Sequence, residues 1–376
     1  MSVRNVPLGD VLQFFNGKAP NTVENGEFVV YGSNGTIGRA VEFNNENAII
    51  LGRVGAYCGS VEICHDRFWA SDNTIVVKPL PGMDLRYLYY RLKASPLRSY
   101  AGGAAQPLIT HGILRSINVL IECELRAQQH IASILSAYDD LIENNRRRIQ
   151  LLEQAARLLY KEWFVNLRFP GHEHVKITEG VPKGWERKSM PEIAEFRLGK
   201  MLDQNKNRGQ PMPYLANINV RWGEFDLENL REMRFEESEI ETFGLRYGDI
   251  VMCEGGEPGR CAIWKNQIPG MMIQKAIHRI RPLANVDYRF LYYSLFEKAR
   301  SGSLSMLFTG ATIKHLPREK LARVQIDIPP VPLMRSFMEH VAPIENQIDT
   351  LQSQIRLASK ARDLLLPRLM NGEISV

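Results

Sequence analysis

The chain holds 376 residues, 44% hydrophobic, 24% charged and 9% aromatic, with 47 Lys and Arg against 42 Asp and Glu for a net charge of +5. This composition excludes a disordered, collagen-like or membrane-embedded chain, and the length excludes a single small module, because about 100 to 200 residues make one domain. The mild basicity permits a nucleic-acid partner without requiring one. Cys58, Cys64, Cys123, Cys253 and Cys261 form no Cys-x-x-Cys pair, so a reducing cytosol is expected rather than a disulfide framework or a zinc ribbon. Residues 1–10 carry no leader pattern, and no apolar run reaches the roughly 20 residues that span a bilayer, which predicts a cytoplasmic protein with no membrane partner.

In chain order, residues 1–124 alternate β-rich runs (28–31, 48–51, 74–77) with Gly-rich turns at 32–38 and 52–57, predicting a mixed, mostly β arm. Its turns carry Asn and Arg, the side chains that pair in bidentate fashion with adenine and guanine edges, although Gly and Asn also fill ordinary β-turns. Next comes Asp84-Leu85-Arg86-Tyr87-Leu88-Tyr89-Tyr90, then Gly103-Ala104, an apolar stretch with His111, and a strand-like run at 117–121. From about 126 to 168 an apolar seam advances by alternating steps of four and three: Ile131, Leu135, Tyr138, Ile142, Asn145, Ile149, Leu152, Ala156, Leu159, Trp163. A 3.5-residue repeat over five heptads predicts a coiled-coil helix on the order of 60 Å long, with Asn145 as a register device. Arg146-Arg147-Arg148 on it reads as a solvated face before it reads as a contact with phosphate or protein. Residues 169–184, rich in Pro, Gly and polar residues, predict a flexible linker, and His172 and His174 within it read as a solvated pair rather than metal ligands.

The pattern then repeats. A second arm at 185–330 carries Tyr214-Leu215-Ala216-Asn217-Ile218-Asn219, Gly248-Asp249-Ile250 and Glu254-Gly255-Gly256-Glu257-Pro258-Gly259-Arg260. Residues 224–241 are strongly acidic and are expected to face away from any phosphate backbone. Asp287-Tyr288-Arg289-Phe290-Leu291-Tyr292-Tyr293 repeats the motif at Asp84, Gly310-Ala311 with His315 repeats Gly103-Ala104 with His111, and 324–328 repeats the strand. A second seam, Phe337, Val341, Ile344, Ile348, Leu351, Ile355, Ala358, keeps the register of Ile131 onwards, with Pro343 expected to kink the helix or delay its start. The class is therefore α+β, two β-rich arms alternating with two long helices in an internal repeat.

Catalytic motifs are missing. There is no Asn-Pro-Pro-Tyr, GxSxG, HExxH or Walker A, and Asp327-Ile328-Pro329-Pro330-Val331 has the wrong order for a methyltransferase. The Gly-rich loop at 254–260 lacks the Lys-Ser/Thr of a phosphate loop, and no metal site is expected.

Val6-Pro7-Leu8-Gly9-Asp10-Val11 and Pro182-Lys183-Gly184-Trp185 open the two arms. Tyr31-Gly32-Ser33-Asn34-Gly35 with Gly52-Arg53-Val54-Gly55, and Gly248-Asp249-Ile250 with Gly259-Arg260, lie inside them. Arg126-Ala127-Gln128-Gln129-His130-Ile131 starts the first helix, and Leu364-Leu365-Leu366-Pro367-Arg368-Leu369-Met370-Asn371-Gly372-Glu373-Ile374 closes the second. As an ordered set these resemble the specificity subunit of a Type I restriction-modification system over nearly the whole chain. Val331-Pro332-Leu333-Met334-Arg335-Ser336 departs from the pattern by lacking the Gln-Gln of the first copy.

The resemblance implies two target recognition domains, at 1–124 and 185–330, and two conserved helices, at 125–168 and 331–376, that pair antiparallel around a linker at 169–184. Each domain would read half of a bipartite, asymmetric double-stranded DNA site, and the helices would fix the spacer and dock methyltransferase subunits, two in number, with restriction/translocase subunits joining them. This chain would be non-catalytic and bind no cofactor; S-adenosylmethionine would serve the methyltransferase, and ATP with Mg the restriction subunit. The alternatives are a modification-only system, a stand-alone sequence-specific DNA-binding protein, or an enzyme with a pocket around Glu254. DNA contacts are expected from Lys18, Ser33, Asn34, Arg53, Tyr57, Gln106 and His111 in the first arm. In the second they are expected from Lys200, Asn217, Asn219, Arg221, Arg260, Lys275, Thr312, Lys314 and His315. Arg and Asn would meet base edges, Lys and the hydroxyls phosphates.

Overall fold

The computed structural model of the chain describes residues 3–103, 106–203, 207–374 and 376, so Ala104 of the expected Gly103-Ala104 correspondence lies outside the described residues. Internal contacts divide it into two compact units, residues 1–149 with 350–376, and residues 150–349.

The first unit contains strands β1 (Val3–Pro7), β2 (Leu12–Asn16), β3 (Phe28–Gly32), β4 (Gly35–Ala40), β5 (Asn45–Gly52), β6 (Val61–Ala70), β7 (Thr74–Pro79) and β8 (Asn118–Glu122). Six of them form a sheet in the order β2-β7-β5-β6-β3-β4, and β1 pairs antiparallel with β8. The solid apolar runs of β5 and β7 are buried from Ala48 to Leu51 and from Ile75 to Val77, the signature of strands covered on both faces. Helix α1 (Leu85–Lys93) starts where Asp84 Oδ1 accepts the Tyr87 N–H at 2.8 Å, and it buries Tyr87, Leu88 and Tyr90 against the sheet's core. Helix α2 (His111–Ser116) precedes β8, and α3 (Leu125–Tyr160) follows it.

The second unit opens on a small hairpin, β9 (Ile177–Thr178) with β10 (Val181–Pro182), and continues with β11 (Glu186–Ser189), α4 (Met190–Ile193), β12 (Ala194–Leu198) and β13 (Gln210–Leu215). Then come β14 (Arg231–Phe235), α5 (Glu237–Phe243), β15 (Ile250–Cys253), β16 (Cys261–Ile263), β17 (Met272–Ile273) and β18 (Ile277–Pro282). Helices α6 (Tyr288–Arg300) and α7 (Arg318–Leu321), strand β19 (Gln325–Ile328) and helix α8 (Val331–Met370) complete it. The sheets run β12-β18-β15-β16, β14-β13-β17 and β11-β19. The motif repeated at Asp287 does the same work as its first copy: Asp287 Oδ1 accepts the Arg289 N–H at 2.8 Å, and Phe290, Leu291 and Tyr293 are buried.

The long helices α3 and α8 contribute to both units. Within the first, Ile131, Ala132 and Leu135 share a core with Leu369 and Met370, Arg362 Nη1 donates to Asp139 Oδ1 at 2.6 Å, and Asn145 Nδ2 donates to Gln354 Oε1 at 3.0 Å. Positions rising along α3 meet positions falling along α8, so the pair is antiparallel. Of the expected seam, Ile131, Leu135, Ile142, Asn145, Phe337, Val341, Ile348 and Leu351 are buried, while Tyr138, Ile149, Leu152, Ile344 and Ile355 are half-buried. Within the second unit Phe337 sits among Tyr160, Trp163 and Phe164, at ring-centroid distances of 5.9, 5.9 and 4.9 Å.

Three expectations are corrected. Pro343 does not delay α8, which begins at Val331; Pro343 lies on the exposed side, where the missing N–H loses one helical bond, while Val341 and Ile348 anchor the buried side. The first helix does not remain α-helical to Arg168: Lys161–Val165 forms a π turn, and Leu167, at φ 57°, ends it. The wider turn lets the consecutive rings of Trp163 and Phe164 both enter the core. Residues 169–184 are not a loose tether, because Phe169 is buried against Trp185 at 5.4 Å and His172 Nδ1 lies 2.8 Å from the Phe169 carbonyl. His174 is exposed, as read from the sequence.

Candidate functional site

In the first unit, four loops are tied into one platform. Arg53 lies just past β5; its N–H donates to the Asn73 carbonyl at 2.9 Å and its carbonyl accepts from the Ile109 N–H at 3.0 Å. Ser33 Oγ, in the β3–β4 turn, donates to the same Asn73 carbonyl at 2.6 Å, and Ser60 Oγ donates to the Ser33 carbonyl at 2.7 Å. Gly102 and Leu108 exchange both backbone hydrogen bonds, closing a loop in which Gly103 has φ 95°. A β-carbon there would lie 2.5 Å from the Gln106 carbonyl oxygen, so glycine is required twice over. The Lys18 N–H joins through the Ala70 carbonyl at 2.9 Å.

The second unit repeats the backbone bonds of this network. The Glu254 N–H donates to the Ala276 carbonyl at 2.9 Å, its carbonyl accepts from the Leu316 N–H at 2.7 Å, and Arg260 Nη2 donates to the Asn217 carbonyl at 2.8 Å. Thr309 and His315 exchange both backbone bonds around Gly310, at φ 93°, and the Lys200 N–H donates to the Ile273 carbonyl at 3.0 Å. The structural equivalents are therefore Lys18 with Lys200, Ser33 with Asn217, Arg53 with Glu254, Ser60 with Arg260, Asn73 with Ala276 and Leu108 with His315. The sequence pairing of His111 with His315 is corrected: His111 opens α2 and His315 closes the preceding loop.

All seven first-arm candidates lie on or beside the platform. Lys18, Asn34, Tyr57 and Gln106 are exposed; Ser33, Arg53 and His111 are half-buried. Burial, then the guanidinium groups of Arg115 and Arg53, push the His111 imidazole below its usual range, so it is neutral near pH 7.

The second-arm candidates divide. Lys275, Thr312 and Lys314 are exposed, and His315 Nδ1 stands 3.2 Å from Glu254 Oε2. The Asn217 side chain reaches the Gly255 carbonyl at 3.5 Å. Four others are occupied by the protein. The Lys200 ammonium is buried between Glu239 Oε2 at 2.5 Å and the Arg234 carbonyl at 2.9 Å. Asn219 caps its own turn, accepting the Ala216 N–H and donating to the Asp226 carbonyl. Arg221 donates to the Ile218 carbonyl at 2.6 Å and to Asp226 at 3.3 Å. Arg260 has both arms of its guanidinium bonded to protein, Nη2 to the Asn217 carbonyl and Nη1 to Glu257 Oε2, each at 2.8 Å. We therefore leave Lys200, Asn219, Arg221 and Arg260 out of the proposed contact set. The acidic segment 224–241 is not set apart from the candidates, since Asp226 and Glu239 hold three of them, Asn219, Arg221 and Lys200. Sequence reasoning missed Ser60 and Asn73, small loop residues with no chemical signature of their own. It also gave Glu254 no part in binding.

The model of the Type I restriction modification DNA specificity domain matches the chain twice, over residues 2–154 and 182–355. The chain belongs to that family. The specificity subunit is similar to two from Methanocaldococcus jannaschii. It is 26% identical to the Type I restriction enzyme MjaIX specificity subunit over 79% of this chain and 71% of the relative, and 24% identical to the MjaVIII subunit over 99% and 92%. The EcoprrI specificity subunit of Escherichia coli is 30% identical over 36% of this chain and 35% of the relative. Among solved structures, the S subunit of a Type I restriction-modification system from M. genitalium superposes with a TM-score of 0.64 at 18% identity, covering 98% of this chain and 96% of that one. As a specificity subunit the chain is non-catalytic. Among the described residues no helix is long and apolar enough to cross a membrane.

Proposed function

We propose that the chain reads a bipartite DNA site for a Type I restriction-modification complex, each loop platform facing one half-site and the paired helices setting the spacer. The observation that carries this reading is the duplicated network: the two units close their loops with the same backbone bonds, around Gly103 and Gly310, and the first exposes Lys18, Asn34 and Gln106 there while the second exposes Lys275, Thr312 and Lys314, a duplication that suits two separate major-groove segments. Methyltransferase subunits, which use S-adenosylmethionine, dock on this chain, and restriction subunits with ATP and Mg complete the assembly. Selection of random double-stranded DNA by the purified complex tests it. Two conserved half-sequences at a fixed separation are expected; one continuous motif, or none, would overturn it.

A further inference from the structure

The duplicated network places Glu254 where the first unit has Arg53, and this substitution of charge has a chemical consequence. Both residues spend their backbone groups identically, donating to Asn73 or Ala276 and accepting from Ile109 or Leu316. The side chain therefore leaves a fixed backbone from the same point of each platform, as a guanidinium in one and a carboxylate in the other. Resting on the reading that these platforms face DNA, we infer that Glu254 is a specificity-determining residue of the second half-site, its carboxylate accepting a hydrogen bond from the exocyclic amine of a cytosine in the major groove.

Chemistry narrows the target. An ionised carboxylate only accepts, and phosphates repel it, so on DNA its partners are the amino groups of cytosine and adenine. Adenine places the N7 acceptor beside its N6 amine, facing the second carboxylate oxygen with another lone pair; cytosine has no acceptor there. His315 Nδ1, 3.2 Å from Glu254 Oε2, orients the group, whose side chain is 18% exposed with the other carboxylate oxygen left for a base. A purely structural role is the competing account. The loop that carries His315 is already closed by the Thr309–His315 backbone pair and by the Leu316 N–H on the Glu254 carbonyl, so the carboxylate is not needed to hold it.

The experiment compares wild type, Glu254→Gln and Glu254→Ala in the full complex by selection from random DNA duplexes, with thermal unfolding beside it. Gln keeps the shape and a bond to His315, but it pairs in bidentate fashion with adenine N6 and N7. We expect E254Q to move the preference at one base pair of the second half-site from C·G towards A·T, and E254A to lose about tenfold or more of the discrimination there, with the first half-site and the spacer unchanged. Unchanged selection by both variants would overturn the inference. So would relaxation of the whole second half-site in E254Q, which would make the residue a brace. Failure of the wild-type complex to enrich any bipartite sequence would instead overturn the DNA-reading function beneath it.

Discussion

Replacing Arg260 by Ala should loosen a platform rather than erase one base contact. Its Nη2 bond to the Asn217 carbonyl joins the β15–β16 loop to the turn after β13, and its Nη1 bond to Glu257 braces that loop internally, both at 2.8 Å. A hydrogen bond from a charged donor contributes about 1.5 to 3 kcal/mol. The pair with Glu257, whose side chain is 50% exposed, is screened by water and adds less than about 1 kcal/mol. The sum, about 1.5 to 4 kcal/mol, would lower the melting temperature of a unit of this size by about 3 to 16 °C. Base-resolved selection should show preference weakened at several positions of the second half-site together. Arg53→Ala is the contrast. Its side chain is half-buried at the corresponding loop of the first unit, and its loss should leave melting unchanged while costing about 1 to 3 kcal/mol at a single base pair. If R260A melted like wild type and lost preference at one base pair only, Arg260 would be a base reader and the equivalence with Ser60 would be misleading.

Two further outcomes follow from the helices and the second core. Leu351→Asp places a carboxylate at a fully buried seam position of α8 and should destabilise the first unit by about 3 to 5 kcal/mol in denaturant titration, whereas Leu357→Asp, on the exposed face, should not. A neutral L351D would refute the seam. His278 is buried with Nε2 2.8 Å from the Leu316 carbonyl, and desolvation lowers its pKa. Below about pH 6.5 the unfolded imidazole takes up a proton that the folded one refuses, so this contribution to stability is present above that pH and is lost as pH falls. His278→Asn should flatten the fall in unfolding midpoint between about pH 7.5 and 5.5, and only partly, because His65 and His111 are shifted in the same direction. A slope identical to wild type would refute the assignment.

What could be read from the sequence was what is local and periodic. The caps at Asp84 and Asp287 and the buried aromatics behind them fall within one helical turn of each other, so the repeat declared itself; so did the seam from Ile131 to Leu152. The loop equivalences were hidden because insertions change the offset along the chain: Lys18 to Lys200 spans 182 positions, Ser60 to Arg260 spans 200, Asn73 to Ala276 spans 203, and Leu108 to His315 spans 207. Choosing candidates by residue type then gave Arg53 and Arg260 the same base-edge role, although the two guanidinium groups have different surroundings. The neutralisation of Lys200 by Glu239 depends on a partner 39 positions away, and that of Arg221 by Asp226 on the turn between them, so neither could be inferred from the basic residue itself. The π turn at Lys161–Val165 arose for a related reason: two adjacent rings had to be buried, and only the three-dimensional core shows that both are.

The central claim is that two similar platforms read DNA independently. Exchanging residues 1–124 for the first arm of a related specificity subunit, followed by sequencing of the methylated sites in cells carrying the hybrid, tests it most directly. The account predicts a new first half-sequence, with the second half-sequence and the spacer retained. Change in both half-sequences would contradict it, and would make the two platforms a single composite recognition surface.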